Sequence, residues 1–277
     1  MTDSSRRLRG AGSFRRSVSG PVASIEVGDG LHVQEFFAHK SLLCDCSQYF
    51  KAALDGHFAE GQKQKIVLDD EDPVIFGTFV AWLYQGQLDS QGVEAALDGS
   101  ERFDYHIAKL IVFADKRSIT ELENDAITML LSFSHRAGPV ERRVVECIYE
   151  IPHVLQISNL LCVLASEEVH FRQSSRMGNM TCYPPEYLAI MVRILLEPVE
   201  SRIHRSLKFF IDDLASFCNA YHTHQESSKV CSSLTDNAYV PYVPPETQRP
   251  STKRPRILAA GLTTVINISD DREGEHR

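Results

Sequence analysis

The sequence has 277 residues, of which 43% are hydrophobic and 24% charged, and its formal net charge is -8. These values fit a globular chain of one or two domains, and the acidic balance argues against nucleic-acid binding driven by bulk electrostatics. No apolar run approaches the ~20 residues of a membrane span, and no hydrophobic core follows the basic start, so we expect neither a membrane anchor nor a secretory signal. Seven scattered cysteines are typical of reduced thiols in the cytosol or nucleus.

Residues 1–20 are rich in Ser, Arg and Gly and have no apolar period, which predicts a disordered basic tail. Beyond it, apolar and polar residues alternate in Ala23–Val27 and again in Leu31–Phe36. The intervening Gly28-Asp-Gly30 is typical of a hairpin turn, because glycine tolerates positive φ.

A short helix and a strand are predicted next. Ser47 has the side chain of an N-cap, and Gly56 ends the apolar period that follows it. Lys65–Leu68 then reads as a short strand.

A longer helix begins at Asp72-Pro73, where an oxygen cap is followed by a proline at the first turn, and it ends at Gly86. The polar, Gly-containing stretch 87–100 predicts a loop. Helical spacing of apolar residues returns further on, over 105–113, 120–133, 140–149, 153–171 and 185–217.

The order of short motifs in the first half of the chain resembles a BTB (POZ) domain of the kind abundant in filamentous fungi. The motifs that carry this resemblance are Phe37-Ala-His-Lys40, Leu43, Ser47-Gln-Tyr-Phe50, Phe58-Ala-Glu60, Asp72-Pro73 and Trp82-Leu-Tyr-Gln-Gly86. The resemblance implies an α/β (α+β) fold with a small sheet flanked by a cluster of helices, followed here by an all-helical C-terminal extension. We therefore expect a basic tail, a BTB/POZ domain, a helical extension and a disordered tail over 1–20, 21–136, 137–224 and 225–277.

The same resemblance implies a protein–protein interaction module, often with self-association as a homodimer. Many relatives recruit substrates to cullin-type ubiquitin ligases, and Phe58-Ala-Glu60 matches a hydrophobic-x-Glu pattern of those relatives. An exposed aromatic side chain would fill a pocket of the cullin while the carboxylate sets the register. In the alternative interpretation, Phe58 covers the local core and Glu60 is solvated. The resemblance predicts a ligase adaptor that binds a cullin.

Two motifs near the C-terminus favour a different role, a nuclear scaffold associated with transcription or chromatin. A basic cluster resembles a nuclear import signal and is formed by Lys253, Arg254 and Arg256. A β-branched segment followed by acidic residues resembles a SUMO-interacting motif and consists of Val265, Ile266, Ile268, Asp270 and Asp271. Such a segment would add as a strand to the sheet edge of SUMO. A solvated charge cluster and a chance apolar patch are the alternatives, and the expected location is the nucleus, the cytoplasm or both.

Catalytic and metal sites are not expected. The sequence has no Gly-rich phosphate loop, no Gly-x-Ser-x-Gly and no His-Glu-x-x-His, so an enzyme of unrecognised class is a distant alternative. His39, Cys44 and Cys46 lack the spacing of a zinc finger, and we expect His39 to be structural. The acidic run Asp69–Asp72 predicts a solvated helix start. We expect no cofactor, no direct nucleic-acid contact and no membrane contact.

Overall fold

The computed structural model describes residues 11–30, 32–56, 59–97, 99, 101–137, 141–151, 160–162, 183–196 and 214–223. The chain divides into two units, Met1–Tyr242 and Val243–Arg277, and all of these residues belong to the first. Within them, no helix is long and apolar enough to cross a bilayer.

A three-stranded sheet forms one side of the fold. Strand β1 (Val22–Val27) is central; it pairs antiparallel with β2 (Gln34–His39) and parallel with β3 (Lys65–Leu68). Alternate residues of β1 are fully buried on the inner face, and the predicted hairpin is confirmed. The predicted bounds of its second strand are wrong: β2 begins at Gln34 rather than Leu31 and ends at His39. Gly28 has a φ of 99°, and a Cβ there would clash with the His32 carbonyl, which explains why the turn needs glycine.

Four helices surround β3 in the chain: α2 (Lys40–Cys46), α3 (Gln48–Asp55), α4 (Ala59–Lys63) and α5 (Pro73–Gln85). The predicted caps are confirmed. The Ser47 hydroxyl accepts from the Phe50 N–H at 3.1 Å, and an Asp72 carboxylate oxygen accepts from the Val74 N–H at 2.8 Å. Gly86 ends α5 in the left-handed region, with a φ of 73°.

The loop predicted over 87–100 is wrong, because Ser90–Leu97 forms a helix, α6. Its first turn is capped by Asp89, whose carboxylate accepts from the Gln91 and Gly92 N–H groups at 3.1 Å each. Val93 and Leu97 are buried, whereas Gln91, Gly92, Ala95 and Ala96 are exposed. Two apolar positions one turn apart are enough to dock a short capped helix on an existing core.

The core lies between the sheet and two long helices, α7 (Phe103–Lys116) and α8 (Thr120–Ala137). Aromatic rings from three helices meet there: the Phe79 ring lies 5.7 Å from that of Phe50 and 5.3 Å from that of Phe113. Trp82 is buried, as expected, and its indole N–H donates to Asp125 at 2.8 Å, which joins α5 to α8.

The C-terminal extension continues the same core with α9 (Arg142–Ile148), α10 (Pro185–Leu196) and α11 (Leu214–Tyr221). An ion-pair network connects α9 to the start of α7, since Arg102 contacts both Asp104, at 2.9 Å, and Glu141, at 3.1 Å. Most of the helix predicted over 153–171, and the disordered tail predicted over 225–277, lie outside the described residues.

The disorder predicted for the whole of 1–20 is wrong for its second half, where Ala11–Ser17 forms helix α1. Phe14 and Val18, four residues apart, pack against the core, and the Ser41 hydroxyl donates to the Ser17 carbonyl at 2.6 Å. Helix α1 has no apolar period of its own, and its order comes from the packing of Phe14 and Val18 against the core and from the hydrogen bond to Ser41.

Candidate protein-interaction site

The connection between α3 and β3, residues 56–64, contains the predicted Phe58-x-Glu60 pair. Glu60 is exposed in the first turn of α4, where the helix dipole favours a carboxylate. Phe58 lies outside the described residues. The structure therefore places one of the two predicted cullin-contact residues, and places it on the surface.

The α3–β3 connection is held at both ends by hydrogen bonds to one carbonyl. The Leu54 carbonyl, in the last turn of α3, accepts from Lys40 Nζ at 2.9 Å and from Gln64 Nε2 at 3.2 Å. Lys40 also pairs with Asp55 at 3.0 Å. Gln64 Nε2 donates in addition to the Gly61 carbonyl. Side chains from α2 and from Gln64, directly before β3, thus hold the Leu54 carbonyl before the connection and the Gly61 carbonyl after Glu60.

Gly61 lets α4 approach the end of α3. A Cβ at this position would overlap the Gly56 carbonyl oxygen and come within 3.3 Å of the Ala53 carbonyl oxygen. A side chain would push α4, and with it Glu60, away from α3. Sequence reasoning missed Gly61 and Gln64; the glycine directly after Glu60 was the available signal.

The acidic run before α5 is in part the solvated helix start that the sequence predicts, since Asp69 and Asp70 are exposed and Asp72 caps α5. The prediction is wrong for Glu71, whose side chain is largely buried. Arg117 pairs with Glu71 at 2.9 Å and with Asp70 at 3.4 Å. Only 9% of the Glu71 side chain is exposed, and burial raises the pKa of Glu71 although Arg117 acts in the opposite direction. Asp72 pairs with Lys109 at 2.9 Å. Through these ion pairs with Arg117 and Lys109, the acidic run attaches the β3–α5 connection to α7.

Arg117 also reaches α3, which lies directly before the α3–β3 connection. Its guanidinium lies 4.7 Å from the centre of the Tyr49 ring, and its carbonyl accepts from the Ser47 hydroxyl at 2.5 Å. Such a stacked cation adds about 0.5–2 kcal/mol to the packing. The start of α3 is therefore anchored to the end of α7, and its C-terminal end is anchored by Lys40.

His39 and its neighbours have structural roles, as expected. The His39 imidazole Nδ1 and the Tyr84 hydroxyl are 2.7 Å apart, and the His39 N–H donates to the same hydroxyl at 3.2 Å. Over the described part of the chain, no three His, Cys, Asp or Glu side chains cluster in a way that would hold a metal ion. Burial raises the pKa of the Cys44 thiol, so this cysteine is less ionised than an exposed one.

The remaining predicted site residues cannot be placed relative to Glu60. The import-signal residues and the SUMO-motif residues lie outside the described part of the chain and stay predictions: Lys253, Arg254 and Arg256, and Val265, Ile266, Ile268, Asp270 and Asp271.

The hairpin, the capped helices and the parallel third strand all lie within the part of the chain that matches a known family. Residues 23–115 match the family model described as BTB/POZ domain. The chain therefore contains a BTB/POZ domain, which is a protein–protein interaction module, and both the resemblance and the predicted fold class are confirmed. The filamentous-fungal type stays a prediction.

One curated relative is Kelch-like protein 40 of Xenopus tropicalis, which is 34% identical over 56 residues. The aligned segment is 20% of this chain and 9% of that protein. The chain thus spans a small part of the relative, and the similarity concerns that segment alone.

Proposed function

We propose that this protein is an adaptor that recruits partners to a cullin-type ubiquitin ligase through its α3–β3 connection. The observation that carries the proposal is the exposed Glu60 in α4, a helix that Gln64 and the close approach at Gly61 attach to the end of α3. The class of partner comes from the motif resemblance of Phe58-Ala-Glu60 to cullin-binding BTB domains.

Glu60 lies in a short helix, α4, that packs closely against the end of α3, and this suits a docking site for physical reasons. Ordering backbone on binding costs free energy, and a carboxylate that is already positioned avoids part of that cost. An exposed carboxylate next to an aromatic side chain combines a hydrophobic anchor with a charge that selects the partner and the register. Glu60 supplies the charge, and Phe58 would supply the anchor.

Binding to a purified cullin N-terminal domain tests the proposal by fluorescence-polarisation competition. We expect Phe58→Asp and Glu60→Lys each to weaken binding about tenfold or more, because each removes one half of the pair. Glu121→Lys is the matched control: it reverses an exposed glutamate that also lies in the first turn of a helix, and its affinity should stay within about twofold of wild type. If Phe58→Asp binds the cullin domain with the same affinity as wild type, the cullin proposal is wrong.

The alternative function, a nuclear scaffold associated with transcription or chromatin, is supported by the sequence of the C-terminal region. An NMR titration of the peptide 260–274 with SUMO would show shifts at Val265, Ile266 and Ile268 if the segment adds to the SUMO sheet. An absence of shifts would reject the SUMO contact. Imaging of the tagged chain with Lys253 and Arg254 replaced by alanine tests nuclear import: the proposal requires nuclear signal to decrease in the variant.

A further inference from the structure

Helix α10 has apolar residues on two opposite sides. Its inner side packs into the core through three residues that are at most 4% exposed: Tyr187, Met191 and Ile194. Its outer side carries an exposed apolar row, the α10 stripe, which consists of Pro185, Ala189, Val192 and Leu196. Val192 is 51% exposed and Leu196 is 80% exposed, the largest value among the exposed large hydrophobic residues described.

The spacing of the stripe is that of a single helix face, since its members follow at intervals of four, three and four residues. A surface helix ordinarily turns a charged face to solvent, but the only charged residues within α10 are Glu186 and Arg193. An exposed apolar row that continues along a whole helix is typical of an interaction surface.

We propose that the α10 stripe binds the α10 stripe of a second copy of this chain, with the two helices antiparallel. The stripe is self-complementary in that direction only. A two-fold axis between Ala189 and Val192 sets the small Ala189 side chain against Val192 of the partner subunit, and Pro185 against Leu196 of the partner subunit. A parallel pairing would instead set alanine against alanine, which leaves a gap, and leucine against leucine.

Charge favours the same direction. At 100° per residue, Glu186 and Arg193 lie on one flank of the stripe, whereas Leu188 and Leu195 lie on the other. Antiparallel pairing about a two-fold axis brings equal flanks together, so Glu186 of one subunit lies beside Arg193 of the partner subunit. Parallel pairing would place both charges beside leucines. Arg193 also interacts within its own subunit, and its five N–H donors allow more than one partner.

The contact is small, which sets the expected affinity. A helix of 12 residues is about 18 Å long, and four side chains bury far less than the ~800 Å² per partner of a stable dimer. We expect association in the micromolar range, which becomes stronger wherever another contact already holds two copies together.

Sedimentation equilibrium of the full chain between about 5 and 200 μM tests the proposal. We expect reversible self-association. Leu196→Glu should weaken it at least tenfold, because this substitution places a charge between the two α10 stripes. The charge reversals Glu186→Arg and Arg193→Glu should each weaken it about threefold to tenfold, and the double variant should recover most of the loss. Recovery in the double variant distinguishes a contact between copies from damage to the fold.

Three outcomes would overturn the inference. A wild-type chain that is monomeric at the highest concentration has no such contact. Association that none of the α10 variants changes must use another surface. If Leu196→Glu instead lowers the melting temperature and leaves the mass unchanged, a segment of the same chain covers the stripe. None of these outcomes depends on cullin binding.

Discussion

Among the contacts that hold the C-terminal helices on α7 and α8, the two hydrogen bonds of one buried asparagine should fix the end of α11. Asn124, in α8, is 4% exposed and forms two hydrogen bonds with one residue that lies 99 positions away. Its Nδ2 donates to the Thr223 carbonyl at 2.9 Å, and its Oδ1 accepts from the Thr223 N–H at 3.0 Å. The end of α11 is thereby fixed on α8, and His222 adds a contact to Thr128 at 3.0 Å.

We expect Asn124→Ala to destabilise the chain by about 1–2 kcal/mol. Two neutral hydrogen bonds contribute about 1–3 kcal/mol, and the exposed Thr223 lets water replace part of that. Alanine also favours the helix over asparagine by up to ~0.7 kcal/mol, which offsets some of the loss. Asn124→Asp should cost at least as much, because it keeps the acceptor but turns a carboxylate oxygen toward the Thr223 carbonyl.

Urea denaturation measures the total effect, and amide hydrogen exchange over 214–223 measures the local one. We expect exchange in this segment to accelerate in Asn124→Ala more than exchange in the sheet, because the end of α11 loses its attachment. Glu121→Ala, which removes an exposed side chain from the same helix, is the control. A change below ~0.3 kcal/mol together with unchanged exchange in 214–223 would refute the reasoning.

Two further predictions concern Gly61 and Glu123. Gly61→Ala should destabilise the chain by about 1–3 kcal/mol and weaken cullin binding although neither Phe58 nor Glu60 is substituted, because the new Cβ displaces α4, and Glu60 with it, from the Gly56 carbonyl. Thermal unfolding and the competition assay check this, and an unaffected melting temperature would contradict it. For Glu123, burial and the nearby Asp115 raise the carboxyl pKa from 4.5 to about 7, so the folded state holds a proton that the unfolded state has lost, and stability falls as pH rises between these values. Glu123→Gln should therefore be more stable than wild type by about 1–3 kcal/mol at pH 8 and have nearly the same stability as wild type at pH 4, as measured by urea denaturation at both pH values. The same stability difference at both pH values would contradict the raised pKa of Glu123.

The parts of the fold that were predictable from sequence are those fixed by neighbouring residues. The hairpin at Gly28, the Ser47 cap and the helix from Asp72 to Gly86 depend on turn and capping chemistry within a few residues. Each rule names a residue type at a fixed offset, so a single sequence is enough. The ordered series of motifs then identified the BTB/POZ domain.

The parts that were missed depend on contacts between distant residues. The pairing of Glu71 with Arg117 spans 46 positions, and no feature of the acidic run indicates that Arg117 pairs with it. Helix α6 and helix α1 each rest on two apolar side chains whose burial is supplied by the rest of the fold. In the candidate site, Glu60 was predicted from its motif and stays a prediction, but the contacts of Lys40 and Gln64 with the Leu54 carbonyl at the end of α3 appear only in three dimensions.

We propose above all that the α3–β3 connection is the surface that contacts a cullin. Hydrogen exchange of the full chain, with and without a saturating purified cullin N-terminal domain, tests it most directly. We expect exchange over residues 56–64 to slow in the complex and to slow much less when Glu60→Lys is mixed with the same concentration of the domain. Binding that leaves exchange at 56–64 unaltered, or no binding at about 50 μM of each protein, would contradict the account.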